Sequence, residues 1–198
     1  MIKAIIFDVG KVYLKGNVAD FVNNSHKILG INKKFNSNKK VILDLDLNRG
    51  RKSLEECFRK FFQVPISKKQ MKEIKEIWLT TWAPTKEMTE LISKLKKNYK
   101  LAILSNSEKN HTVRFNKLGW YSQFDVLVLS HELGIIKPEK RIYEMTLERI
   151  GVVARECVFI DDQEDHLIPA KELGMKTILF KSINQLKKEL KALSVKFD

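Results

Sequence analysis

Two cysteines stand in the whole chain, Cys57 and Cys157, and no second cysteine lies close to either. That excludes a disulfide framework, a cysteine-rich zinc site and a Cys-x-x-Cys redox pair, and it predicts two reduced structural thiols. Long apolar runs are missing too, so nothing approaches the length needed to cross a bilayer. The N-terminus already reads as a strand rather than a signal peptide, and we expect a cytoplasmic protein. Internal repeats and low-complexity linkers are absent from the 198 residues, which can fill one domain or two small ones. Acidic residues are in deficit: 24 Asp and Glu face 37 Lys and Arg, for a formal net charge of +13. Lysine carries this excess, with 30 Lys against 7 Arg. The lysines are spread through every predicted helix, and no aromatic-rich binding motif accompanies them. A solvated surface is the reading, and nucleic acid is not the expected partner. The positive field would speed the arrival of small anions.

What the chain has instead is a series of short apolar runs that end in polar groups. Lys3-Ala-Ile-Ile-Phe7 stops at Asp8, followed by Val9-Gly10. Leu101-Ala-Ile-Leu104 stops at Ser105-Asn106, Phe124–Leu129 at Ser130 with Lys137 close behind, and Cys157-Val-Phe-Ile160 at Asp161-Asp162. Continuous Ile, Val and Phe mark parallel strands buried on both faces, and open α/β sheets place ligands at the carboxyl ends of such strands. Each polar group alone has a plain reading as a turn, a helix cap or a solvated lysine. Together, if the strands are parallel, they line one rim.

Between the first strand and the rest the pattern is helical. Residues 17–84 carry apolar positions at helical spacing: Val18, Phe21, Val22, Ile28 and Leu29 before Gly30, then Val41, Ile42, Leu45 and Leu47. Ser53-Leu-Glu-Glu56 is a capping box that opens a third helix, ending before Pro65. A fourth starts near Ser67 and carries Met71, Ile74, Ile77, Trp78 and Trp82 up to Pro84. Beyond Thr85 helices are predicted near 86–98, 109–118, 139–150, 165–173 and 183–193, alternating with strands near 100–105, 124–129, 157–161 and 176–180. The fold class expected is α/β, a parallel sheet with helices on both faces and an inserted helical block.

A carboxylate nucleophile beside a carboxylate pair and a cation suits phosphoryl transfer through an aspartyl-phosphate. Asp8, Asp162 and a backbone carbonyl offer hard oxygen ligands to Mg²⁺, and Lys137 would neutralise phosphate oxygens. Ser105 and the amides opening the helix after Asn106-Ser107 could hydrogen-bond the same oxygens.

Phe7-Asp8-Val9-Gly10-Lys11-Val12, Leu104-Ser105-Asn106-Ser107, Gly134-Ile-Ile-Lys137-Pro138 and Phe159-Ile-Asp161-Asp162 resemble the four ordered motifs of the haloacid dehalogenase superfamily. The Asp-x-Gly first motif is similar to its sugar-1-phosphate phosphatase branch. The resemblance implies a Rossmann-like core over 1–16 and 85–198 and a small helical cap over 17–84. It implies Asp8 as nucleophile and Lys137 as catalytic cation. Ser105, Asn106 and Lys137 would hold phosphate, and Asp8, the Gly10 carbonyl and Asp162 would ligate Mg²⁺ with support from Asp161. Arg49, in the basic turn Asn48–Lys52, resembles a cap residue that reads substrate; a solvated turn is the other reading. Trp78 and Trp82 are expected in the cap core.

The chain departs from that family at Gly10, where most of its phosphatases carry a second Asp as general acid and base. Lys11 or His166 could substitute, and better leaving groups such as anomeric sugar phosphates would suffer less from the loss. The function expected is a Mg²⁺-dependent phosphatase for a small phosphorylated metabolite. A 2-haloacid dehalogenase and a catalytically weak phosphometabolite-binding protein are the alternatives. Oligomeric state is left open.

Overall fold

The computed structural model describes residues 1–33 and 45–197. β1 (Ala4–Phe7) leads into a three-residue strand, β2 (Leu14–Gly16). Then come α1 (Val18–Leu29), α2 (Leu45–Asn48), α3 (Leu54–Phe62) and α4 (Lys68–Thr80), before β3 (Trp82–Pro84) returns antiparallel to β2. The remainder alternates: α5 (Lys86–Leu95), β4 (Lys100–Ser105), α6 (Lys109–Lys117), β5 (Val126–Leu129), α7 (Ser130–Leu133), α8 (Lys140–Ile150), β6 (Cys157–Asp161), α9 (Glu164–Glu172), β7 (Lys176–Leu179) and α10 (Ile183–Ala192).

The central sheet has the order β5-β4-β1-β6-β7, and all its pairings are parallel. Alternate side chains of β1 enter opposite layers, as a two-residue period requires. Ile5 and Phe7 pack with Leu91 and Ile92 of α5 and Leu186 and Leu190 of α10. Ala4 and Ile6 pack with Ile142 and Tyr143 of α8 and Leu167 and Ala170 of α9. The fold is therefore the expected Rossmann-like α/β sandwich, helices on both faces.

The helical block has an apolar centre of its own, with Phe21, Val22, Leu54, Phe58, Met71 and Ile74 buried together. Phe21 sits with its ring 5.4 Å from Phe58 and 4.8 Å from Trp78. Capping chemistry sets the helix ends. Ser53 and Glu56 form the capping box of α3, and Ser67 and Gln70 form one at the start of α4. Gly30 ends α1 in the left-handed region at φ 68°.

Some boundaries differ from expectation: α5 ends at Leu95 rather than near 98, and the four-residue α7 was not expected. α4 stops at Thr80 rather than running to Pro84, and Trp82–Pro84 is a strand. A residue before proline is pushed out of the helical region, so Ala83 favours the extended form, which pairs with β2. The expected 9–16 turn accordingly gives its last three residues to β2. Val41 and Ile42, assigned to the second helix, lie outside the described residues. Among the described residues no helix is long and apolar enough to cross a membrane.

Candidate active site

Parallel pairing puts the carboxyl ends of β1, β4, β5 and β6 on one rim, so Asp8, Ser105, Ser130 and Asp161 arrive together. Lys137 reaches into this rim from the segment between α7 and α8. Its Nζ donates to Asp8 Oδ1 and to Asp161 Oδ2, each at 2.6 Å. The lysine is 2 % exposed and Asp161 is fully buried, so this is a desolvated ionic cluster.

Burial alone would weaken the ammonium, but the charges of Asp8 and Asp161 outweigh it and hold Lys137 above its ordinary value. For Asp161, burial pushes upward, while Lys137 and His166 win and keep the carboxyl low. Asp8 goes the other way. Burial pushes it up to about 6, against the pull of Lys137 and with help from the neighbouring Asp161 and Asp162 charges. Asp8 and Asp161 share one buried lysine with Asp162 close by, and Asp8 bears the imbalance.

Asp8, Asp161 and Asp162 bring carboxylate oxygens within 4.8 Å of one another. Hard oxygen donors at this spacing fit a small divalent cation such as Mg²⁺. Asp161 already accepts from Lys137, from the Gln163 amide at 2.9 Å and from His166 Nδ1 at 3.1 Å. That leaves Asp8 and Asp162 as the carboxylates with capacity for a cation, and Asp161 as a positioning group. Gly10 borders the same cavity, next to Lys11, whose Nζ stands 3.3 Å from Asp162.

A cavity of about 450 Å³ opens above this cluster, and Ser105, Asn106, Lys137, Asp162 and His166 all line it. Asn106 has a second task. Its Oδ1 accepts from the Lys137 amide at 2.7 Å and its Nδ2 donates to the Lys137 carbonyl at 3.0 Å, clamping the backbone that carries the lysine. Arg49 is not among the residues lining the cavity. It donates to the Gly134 carbonyl at 2.9 Å and pairs with Glu139 at 2.8 Å, tying the helical block to the segment around Lys137. The first amides of α6 are taken as well. The Glu108 carboxylate accepts from Asn110 and His111 amides at 2.7 and 2.8 Å, so this helix start does not face a ligand.

Other lining residues carried no recognisable signal of their role in the sequence. Trp78 and Trp82 both border the cavity, although helical spacing placed them in the cap core. Only Trp78 belongs to the centre of the helical block, and Trp82 packs against the layer beneath the sheet. Glu108 and His111 form a buried pair with His111 Nδ1 3.2 Å from Glu108, and His111 Nε2 donates to the Trp78 carbonyl at 2.9 Å. Asn48, one position before the expected Arg49, lines the cavity with its Nδ2 buried and unpartnered. Its position in the basic turn was the sole hint.

Comparison with known proteins identifies the family. The model of the haloacid dehalogenase-like hydrolase family matches residues 2–174. A D-ribitol-5-phosphate phosphatase from Bacteroides thetaiotaomicron is 26% identical over 188 residues, covering 89% of this chain and 91% of that protein. A bifunctional epoxide hydrolase 2 from Rattus norvegicus is 34% identical over 87 residues, 44% of this chain but only 16% of that much longer protein. Among solved structures, a HAD family enzyme from Bacteroides thetaiotaomicron, in complex with magnesium and inorganic phosphate, superposes with a TM-score of 0.76 at 26% identity. That match covers 92% of this chain and 96% of the other. The chain belongs to the haloacid dehalogenase-like hydrolase family.

Proposed function

We propose that the protein is a Mg²⁺-dependent phosphatase for a small phosphorylated metabolite, working through an aspartyl-phosphate on Asp8. The observation that carries this reading is the clustering of Asp8, Asp161 and Asp162 at the floor of one cavity, with the buried Lys137 paired to Asp8 and Asp161. The relatives named for phosphatase activity and solved with magnesium and phosphate support it.

In this reading Asp8 attacks phosphorus in line, forming an acyl phosphate as the bond to the leaving oxygen breaks; water then cuts the acyl phosphate. Lys137 neutralises charge on the phosphoryl oxygens, and Asp161 holds that lysine in place. Ser105 offers a hydroxyl at the same rim. Asp8, Asp162 and the Gly10 carbonyl would hold Mg²⁺, which supplies further charge neutralisation when bound. No carboxyl group stands at Gly10 to protonate the leaving oxygen. Residues 17–84 act as a cap over a core of 1–16 and 85–198, and Arg49 fastens the one to the other.

The test is phosphate release from a panel of phosphorylated metabolites, with and without Mg²⁺, by the native protein and Asp8→Asn. Metal-stimulated release that falls by about a thousandfold or more in the variant is expected. Unchanged release in Asp8→Asn removes the nucleophile. Full activity in excess chelator favours metal-free displacement of the dehalogenase kind instead.

A further inference from the structure

Tyr121 brings a free donor to the cavity wall. It sits in the segment between α6 and β5, within Gly119-Trp-Tyr-Ser122, outside every motif described above. That segment is pinned on both sides of the residue. The Trp120 carbonyl accepts from the Tyr13 hydroxyl at 2.6 Å, and the Tyr121 carbonyl accepts from the Phe124 amide at 3.0 Å. The Tyr121 ring meets Phe115 edge-on, with centroids 5.8 Å apart. The residue is only 4 % exposed, so its ring is held in place before any ligand arrives.

The hydroxyl at the end of this ring is unspent. Tyr121 lines the cavity, yet its oxygen meets no hydrogen-bond partner in the protein. Among the described residues, the unpartnered polar side-chain atoms that are sealed from solvent belong to Asn48, Thr112 and Arg114. Tyr121 is not one of them, so its oxygen is open, and the space beside it is the cavity. Nearby groups on the same wall are committed. Both oxygens of Glu108 accept from amides of its own helix, and the His111 ring nitrogens face the Trp78 carbonyl and Glu108. Trp82 also keeps a free N–H, but its nearest approach to Gly10 is through Cη2 and Cζ3 of the benzo edge.

Two carboxylates bracket the hydroxyl. Burial first, then the charges of Asp8, Tyr13 and Glu108, oppose its ionisation and hold it above the ordinary phenol value. It therefore remains a neutral O–H with a proton to donate. Asp8 lies on the cavity floor, whereas Glu108 opens α6 and accepts from Trp78 of the helical block. A hydroxyl influenced by both stands between the reacting phosphorus and the block above it. The phosphoryl oxygens already have Lys137, Ser105 and a cation in the proposed reaction, so the group at this level is the organic part beside the ester.

We propose that Tyr121 is a specificity-determining residue, whose hydroxyl donates to a carbonyl or hydroxyl oxygen carried by the substrate next to its phosphate ester. This inference rests on the phosphatase reading and narrows its substrate class. A plain hydrocarbon chain in the same place strips water from the phenol and returns no acceptor, which weakens its binding. A site built around a polar group rejects the analogue that lacks the matching one.

Titration calorimetry of non-hydrolysable phosphonates on the Mg²⁺-loaded full chain tests this without requiring turnover. 3-Oxobutylphosphonate and butylphosphonate have the same carbon chain and differ by one carbonyl oxygen. The ketone is expected to bind the native protein about fivefold tighter, and that preference should vanish in Tyr121→Phe. Inorganic phosphate should bind both proteins alike. The melting temperature of Tyr121→Phe should match the native one, because the hydroxyl makes no bond within the protein; a merely structural tyrosine would lower it and weaken both phosphonates together. Equal binding of the two phosphonates by the native protein overturns the proposal, even if the variant fails to fold. A ketone preference that survives in Tyr121→Phe overturns it as well. So does a loss of phosphate affinity in that variant, which would put the hydroxyl on the phosphoryl group. A preference that vanishes as expected, without phosphate release from any ester, sinks the phosphatase reading alone. No binding of any phosphonate sinks both.

Discussion

At the scale of single residues, the balance of charge around Lys137 governs behaviour. Asp8 ionises near its ordinary 3.8 in the unfolded chain and near 6 in the native one. Between those values the native state holds a proton that the unfolded state has lost. Raising the pH through that window therefore destabilises the metal-free protein, by on the order of 2–3 kcal/mol once Asp8 is fully ionised. Asp8→Asn removes this penalty. Melting curves in chelator should show the variant gaining on the native protein between about pH 4 and pH 7, with Mg²⁺ closing the gap. A gap that stays flat or narrows with rising pH would contradict the assignment. Gly10 is the second decisive residue. A side chain there meets Trp82 only at ordinary contact distance, so Gly10→Asp should fold. It should raise kcat on alkyl phosphate esters by about 10²-fold and on aryl esters much less. Equal effects on both substrate classes would argue that protonation of the leaving oxygen is not what Gly10 withholds. Asp8, Lys137 and the acidic pair Asp161-Asp162 were all legible in the sequence as neighbours at one rim, because each ends or follows an apolar run. The placements of Asn48 and Arg49 were not. They are neighbours in one basic turn, and helical periodicity does not say which of two adjacent side chains faces the cavity.

At the scale of elements, the helical block meets the rest of the chain both through α4 against α6 and through the turn after α2. Gly50 adopts φ +69°, and a Cβ there would come within 2.4 Å of the His131 carbonyl oxygen. Gly50→Ala therefore combines backbone strain with a clash against main chain, at a cost above about 1 kcal/mol. Arg49→Ala removes a hydrogen bond to Gly134 and a half-exposed pair with Glu139, worth about 1 kcal/mol together. For a chain of this size, that corresponds to a Tm lower by about 2–4 °C. Calorimetry should rank Gly50→Ala below Arg49→Ala, and both below the native protein. An Arg49→Ala variant of native Tm but weakened phosphate binding would return Arg49 to the substrate side. The Ser53–Glu56 capping box and Gly30 marked helix ends well, since their chemistry is local. The β2–β3 ribbon escaped notice because three-residue strands are too short for any period to show.

At the scale of the whole molecule, alternation of apolar runs with amphipathic helices was enough to reveal a parallel sheet with two covered faces. Strand order was not legible, since β1 pairs with β4 and β6, partners that lie far along the chain. The net charge of +13 is a property of the entire surface. It should raise the capture rate of anionic substrates at low salt, and the effect fades as the screening length falls below about 10 Å near 0.1 M salt. We expect kcat/KM for a phosphate dianion to drop with added salt while kcat stays level; a salt-independent kcat/KM would place the steering charge elsewhere.

The central claim is that Asp8 carries the phosphoryl group. A single turnover with a radiolabelled phosphate ester in the presence of Mg²⁺, quenched in acid and mapped by peptide, tests it most directly. The account predicts transient label on the peptide containing Asp8, absent in Asp8→Asn. Phosphate release at the native rate with no label at Asp8 at any quench time would contradict it.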